Sequence, residues 1–301
     1  MLSSLDPRAQ LFLTNLNRIS DRMSLAQNQI TTGKRISQVS DDPAAVSQLI
    51  SAHARLSSTS QNLDNLGRVK TEVDSAETAL QNAVSLFEKV QTAGAQGLTD
   101  TLDAAGRNVI ADQIDTSLQQ LVGLTGTVVE GRYVFSGDAD QTAPYTYDPS
   151  LANPLSAYLG TAATRQIQHP NGTTFSTSRT AQEIFDSTDP TKNVFSAIRK
   201  LSTALKANDT AAAQTAFDGL NKVNDHLNSE LAAYGGTQNK VTNAQEFAST
   251  LKLQLQSQIA GYEEADLSES ILELTQGQTQ QQAALQSRAL IPRKTLFDYL
   301  G

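Results

Sequence analysis

Chemistry in a protein begins with side chains that carry protons, hold metals or attack bonds, and this sequence is poor in them. Cysteine is absent from all 301 residues, which removes thiolate nucleophiles, thiolate zinc sites and disulfides together. The three histidines are His53, His169 and His226. None has a second histidine at metal-binding spacing, and neither a His-Glu-x-x-His motif nor a phosphate-cradling Gly-Lys-Ser/Thr loop occurs. His53 falls between Leu49 and Leu56 at helical spacing, a packing position, and His169 belongs to a turn. The pair Asp41-Asp42 has metal-binding potential, but a helix cap explains it better, because Pro43 follows at a first helical position. The acidic run Glu263, Glu264, Asp266, Glu269, Glu273 lacks calcium-loop spacing and reads as one side of a helix. Asp138, Asp140, Asp148 and His169 form no acid–base–nucleophile set by spacing. Asn171-Gly172-Thr173 and Asn208-Asp209-Thr210 match a glycosylation pattern short enough to arise by chance. These residues predict a protein that is not an enzyme and needs no cofactor or metal.

The elements that carry these residues fall into two kinds. Five of the eight prolines and eight of the sixteen aromatics lie between positions 133 and 195. That block reads as strands and turns, with His169-Pro170-Asn171-Gly172 as a hairpin turn. Elsewhere helical periodicity takes over. Leu5, Ala9, Phe12, Leu16, Ile19, Met23, Ala26 and Ile30 alternate four and three residues apart, a two-position heptad seam with Gly33 just past its end. Val69, Val73, Ala76, Leu80, Ala83, Phe87 and Val90 form a second seam, and Val241, Ala244, Ala248, Leu251, Leu255 and Tyr262 a third. The phase of the third shifts near Asp266, after which Leu267, Ile271, Leu274 and Leu285 continue it. No proline interrupts the 52 residues from Asn239 to Leu290. As helix they would extend about 78 Å, against roughly 50 Å for a compact chain of this length. Even with a break near Gly261 or Gly277, that length predicts an elongated molecule.

The expected fold is mainly α. Long antiparallel coiled-coil helices from both termini build a rod, and a small β-rich domain is inserted. The terminal assembly segments are 1–42 and 263–301, the helical body is 43–140 with 193–262, and the outer β-rich domain is 141–192. The net charge of −8 argues against nucleic acid. No run of apolar residues is long enough to cross a membrane, and the start of the sequence shows no cleavable secretory signal. Residues 1–40 hold five bases and two acids, while 253–287 hold five acids and no base; opposite signs favour antiparallel pairing of the termini. A two-position seam orders a helix poorly without partners, so the terminal segments are expected to be mobile in the isolated chain and to order on assembly. Leu5, Phe12, Leu16, Ile19, Met23 and Ile30, with Ile271, Leu274, Leu285, Leu296, Phe297 and Leu300, are the expected interface. The same seams are also compatible with an intramolecular bundle, or with a cytoplasmic coiled-coil adaptor.

Two motifs narrow the choice. Ile30-Thr31-Thr32-Gly33-Lys34-Arg35-Ile36 followed by Ser40-Asp41-Asp42-Pro43-Ala44-Ala45, and Glu263-Glu264-Ala265-Asp266-Leu267-Ser268-Glu269, resemble the two terminal signatures of the flagellin superfamily. Within it, Pro43, Gly131-Arg132-Tyr133-Val134-Phe135-Ser136-Gly137 and the ending Leu296-Phe297-Asp298-Tyr299-Leu300 resemble the hook–filament junction family more than flagellin itself. The start departs from the family's usual Met-Arg-Ile, reading Met1-Leu2-Ser3 with an early Pro7. The resemblance implies export, unfolded and without a cleavable signal, through the flagellar type III channel after binding a cytoplasmic chaperone. It also implies an extracellular ring of copies stacked on the first hook-associated protein, with flagellin polymerising beyond. Flagellin is the alternative, with the same physics extended into a filament.

Overall fold

The computed structural model describes residues 7–289 apart from 39 and 152. It is mainly helical: α1 (Pro7–Thr32), α2 (Pro43–Gly97), α3 (Ala104–Thr125), β1 (Val128–Val129), β2 (Arg132–Tyr133), β3 (Gln166–Gln168), β4 (Thr174–Ser176), α4 (Ala181–Phe185), α5 (Val194–Lys206), α6 (Thr210–Glu263) and α7 (Leu267–Ala289). Two units form. The described residues up to Ser58 and from Leu251 make one, and Thr59–Thr250 the other.

The larger unit has the conventional core. Val73, Ala76, Leu80, Ala83, Phe87 and Val90 of α2 are buried to 2 % exposure or less, and Val241, Ala244 and Ala248 of α6 are fully buried. A heptad stripe gives one buried face per helix, and here the stripes of α2 and α6 join those of α3 and α5 in a single cluster. Gly94 marks one tight approach, since a Cβ there would lie 2.8 Å from Leu201 and 2.9 Å from Phe217.

Segment 141–192 holds much less β-structure than expected. Its one hairpin pairs β3 with β4 over three residues each, in the register Gln166↔Ser176, Ile167↔Phe175 and Gln168↔Thr174, across the turn anticipated at 169–172. An isolated Tyr147–Leu155 bridge and the capped α4 complete its regular structure. Proline removes a ladder donor wherever it stands, and five prolines in this block leave little room for strands. Its apolar residues do not build a separate core. Tyr145, Leu155, Ala181, Ile184 and Phe185 enter the helical cluster, with Phe135 and Phe185 edge to face at 6.4 Å and Phe185 stacked on Phe195 at 5.7 Å.

The junction-like motif at 131–137 pins this block in place. Glu130 and Gly131 take positive φ to turn β1 into β2. Phe135 and Ser136 are fully buried. The Phe135 carbonyl accepts from the Tyr158 hydroxyl at 3.0 Å and from Ala181 N at 2.8 Å. Gly137 has φ +65, and a Cβ there would sit 2.3 Å from the Thr161 carbonyl oxygen, so no other residue fits without rebuilding the turn.

Candidate functional site

The terminal helices form the site. On α1, Phe12, Leu16, Ile19, Met23 and Ile30 are half-buried and Ala26 is 1 % exposed. This face packs on α7 in antiparallel register. Ser270 Oγ donates to Gln29 Oε1 at 3.0 Å, Arg22 Nη2 meets Glu273 Oε1 at 3.0 Å, Met23 lies against Gly277, and the Arg288 guanidinium sits 5.6 Å over the Phe12 ring.

The matching face of α7 differs from the one read in the sequence. Ser270 and Gly277 are buried and Leu274, Gln281 and Ala284 half-buried, whereas Leu267, Ile271 and Leu285 stand 47 %, 53 % and 51 % exposed. Large residues on α1 thus meet small and polar ones on α7. Ser270, Gly277 and Ala284 repeat at heptad spacing, a signal that a search for apolar residues alone passes over. Leu11, Leu13 and Leu25 of α1 and Leu272 of α7 are exposed as well, between 44 % and 67 %. Leu5, Leu296, Phe297 and Leu300 lie outside the described residues.

Where α1 and α7 meet α2 and α6, the two signature motifs bind each other. Gly33, at φ +70, closes α1 by donating to the Gln29 carbonyl at 2.8 Å. Its own carbonyl accepts from Ala265 N at 3.0 Å, Arg35 N donates to the Glu263 carbonyl at 2.6 Å, and Lys34 bridges Glu264 in antiparallel fashion. Side chains reinforce the clamp. Lys34 Nζ donates to Glu263 Oε1, Arg35 Nη2 to the Tyr262 carbonyl at 2.9 Å, and His53 Nε2 stands 3.5 Å from Glu263 Oε2. The Lys34 ammonium holds the Glu263 carboxyl below the usual glutamate range. His53 therefore faces a carboxylate, with half its side chain exposed, beside the small core of Leu49, Ala52 and Ile259.

The paired aspartates divide their work. Asp42 Oδ1 accepts from Ala45 N at 3.1 Å, the capping bond for α2 with Pro43 at its first position. Asp41 Oδ2 instead accepts from Ser37 N at 2.9 Å and Gln38 N at 2.8 Å. These bonds hold its pKa down and close the loop before the helix. The helix break lies at 264–266, just past Gly261 and at the Asp266 phase shift, while Gly277 is helical. There Asp266 Oδ1 caps α7 by accepting from Ser268 N and Glu269 N at 2.8 and 3.1 Å.

Most of the groups with chemical potential in the larger unit are engaged by neighbouring residues. Asp140 sits 3.5 Å from Arg165, which also pairs with Glu72 at 2.7 Å. Asp148 accepts from Ser150 within its own turn. His169 Nδ1 accepts from Asn171 N, and its ring lies 5.4 Å from that of Phe247. His226 contacts the Ile184 carbonyl at 3.1 Å. Among the described residues, no group of three or more His, Asp or Glu side chains converges as a metal site, and no helix is long and apolar enough to cross a membrane.

Similarity to known proteins follows the same features. Residues 8–140 match the bacterial flagellin N-terminal helical region. Flagellar hook-associated protein 3 of Escherichia coli is 27 % identical over 218 residues, covering 67 % of each chain. The protein of the same name from Salmonella typhimurium is 26 % identical over 226 residues, covering 71 % of this chain and 70 % of that one. The crystal structure of the flagellar junction protein FlgL from Legionella pneumophila superposes with a TM-score of 0.58 at 14 % identity, over 72 % of this chain and all of that one. The matched helical region, the hook-associated relatives and the shared fold agree: the chain is similar to proteins of the flagellin superfamily, and among them to hook-associated protein 3.

Proposed function

We propose that this chain is a structural, non-enzymatic subunit of the bacterial flagellum that forms the junction between hook and filament, the layer on which flagellin assembles. The observation that carries the reading is the pair α1–α7. Its internal seam is thin and mostly half-buried, and both helices turn large apolar residues outward, among them Leu11, Leu25, Ile271, Leu272 and Leu285. An exposed apolar row on helices of this kind is stabilised by neighbouring copies. In this reading 1–42 and 263–301 are coiled-coil assembly segments, 43–140 with 193–262 are a helical rod, and 141–192 faces outward. Copies of the chain ring the structure, resting on the first hook-associated protein and receiving flagellin on the far side. The chain reaches that place through the flagellar export channel, unfolded and after binding a cytoplasmic chaperone. Slender terminal helices suit threading, because little packing has to be undone.

Gold-labelled antibody against the chain, applied to intact flagella, tests the reading. One narrow band at the hook tip is expected. Label along the whole filament would instead assign the chain as flagellin, and absence from the flagellum would end the proposal.

A further inference from the structure

Gly277 was a possible helix break by sequence, yet α7 continues through it and buries it. An ideal Cβ at this position would lie 2.4 Å from Met23 Cγ, too close for the Met23 side chain to stay where it is, and 3.2 Å from Met23 Sδ, a tight contact that a few tenths of an ångström would relieve. Its heptad neighbours on the same face, Ser270 and Ala284, both carry a Cβ. A slip of one heptad in either direction would bring one of them opposite Met23 at this spacing, and each would collide. The rest of this face of α7 holds few features that mark a register, since Leu274 is its one half-buried leucine and Gln281 and Ala284 offer no large apolar knob.

We infer that Gly277 is the positioning residue of the terminal helix pair, a notch that admits Met23 and so fixes both the separation and the register of α1 against α7. The outward residues of the two helices then hold one relative height, which a neighbouring copy of the chain would read; this consequence rests on the function proposed above, while the notch itself does not.

The absence of cysteine makes the test direct. Gln29→Cys with Ser270→Cys places thiols where the wild-type side chains touch, and a short thiol-reactive linker traps the pair in the dilute full-length chain even if it opens and recloses. Efficient intramolecular linking is expected; no linking would overturn the pairing. Adding Gly277→Ala raises intrinsic helix propensity, so a loss of linking must come from the collision. The linked fraction is expected to fall roughly fivefold or more, and to return within about twofold when Met23→Ala is added. Undiminished linking in G277A, or no recovery with M23A, would refute the notch. None of these outcomes depends on where the protein sits in the cell, which the labelling experiment decides separately.

Discussion

At the scale of single residues, Glu263 is where three cationic or ionisable groups converge. Lys34 bonds one carboxylate oxygen, His53 stands near the other, and Arg35 reaches the carbonyl one residue earlier. Its lowered pKa has a definite sign. The stability it supplies is complete above the ordinary glutamate range, near pH 4.3, and is lost as the pH falls through its lower folded value. Lys34 is 52 % exposed, so water screens the pair and the contribution is about 1 kcal/mol or less. Acid titration of the chain followed by hydrogen exchange at residues 30–36 should show that loss, and Glu263→Gln should remove it. Gly137 makes a sharper case. Gly137→Ala combines positive φ with a backbone collision and is expected to cost about 2–4 kcal/mol, read as a lower melting temperature of the larger unit. Neither residue's role was legible in the sequence. Gly137 stood inside a resembled motif with no reason attached, and the partners of Glu263 lie about 210 and 230 positions away.

At the scale of elements, the α1 seam and the α2 stripe have the same spacing and opposite surroundings. Phe87 of α2 is fully buried among several helices, whereas Leu16 and Ile19 of α1 are half-buried against α7. Leu16→Asp should therefore separate α1 from α7 while leaving the larger unit folded. The expected result is amide exchange across both terminal helices faster than in the unsubstituted chain, and an unchanged thermal transition for residues 59–250. Phe135→Ala should do the reverse. It removes a fully buried ring that meets both Phe185 and Tyr234, and should lower the stability of that unit by about 3–5 kcal/mol. Periodicity made α1, α2 and the last stretch of α6 readable, because heptads report helices directly. On α7 it found Leu274, which is half-buried, but passed over Ser270 and Gly277, where contact with α1 falls, while Ile271 and Leu285 face away from α1. It also overstated the strands in 141–192, since the aromatics there fold down onto helices.

At the scale of the whole molecule, the outward apolar residues separate folding from assembly. Ile271→Asp and Leu285→Asp change side chains that are about half exposed, so the isolated chain should keep its helical content, and its stability within about 0.5 kcal/mol. If the proposed junction is correct, the double variant should reach the cell exterior and fail to form the ring, leaving hooks without filaments in electron micrographs. Normal filaments with this variant would remove those residues from the interface. The clamp between Gly33–Arg35 and Glu263–Ala265 has a consequence in time. Its two halves are separated by roughly 230 positions, and at ~5–20 residues per second of synthesis the second half follows the first by about 10–45 s. For that interval the first half of the clamp has no complement to close on, so the contact forms only once the later stretch of the same polypeptide has been made.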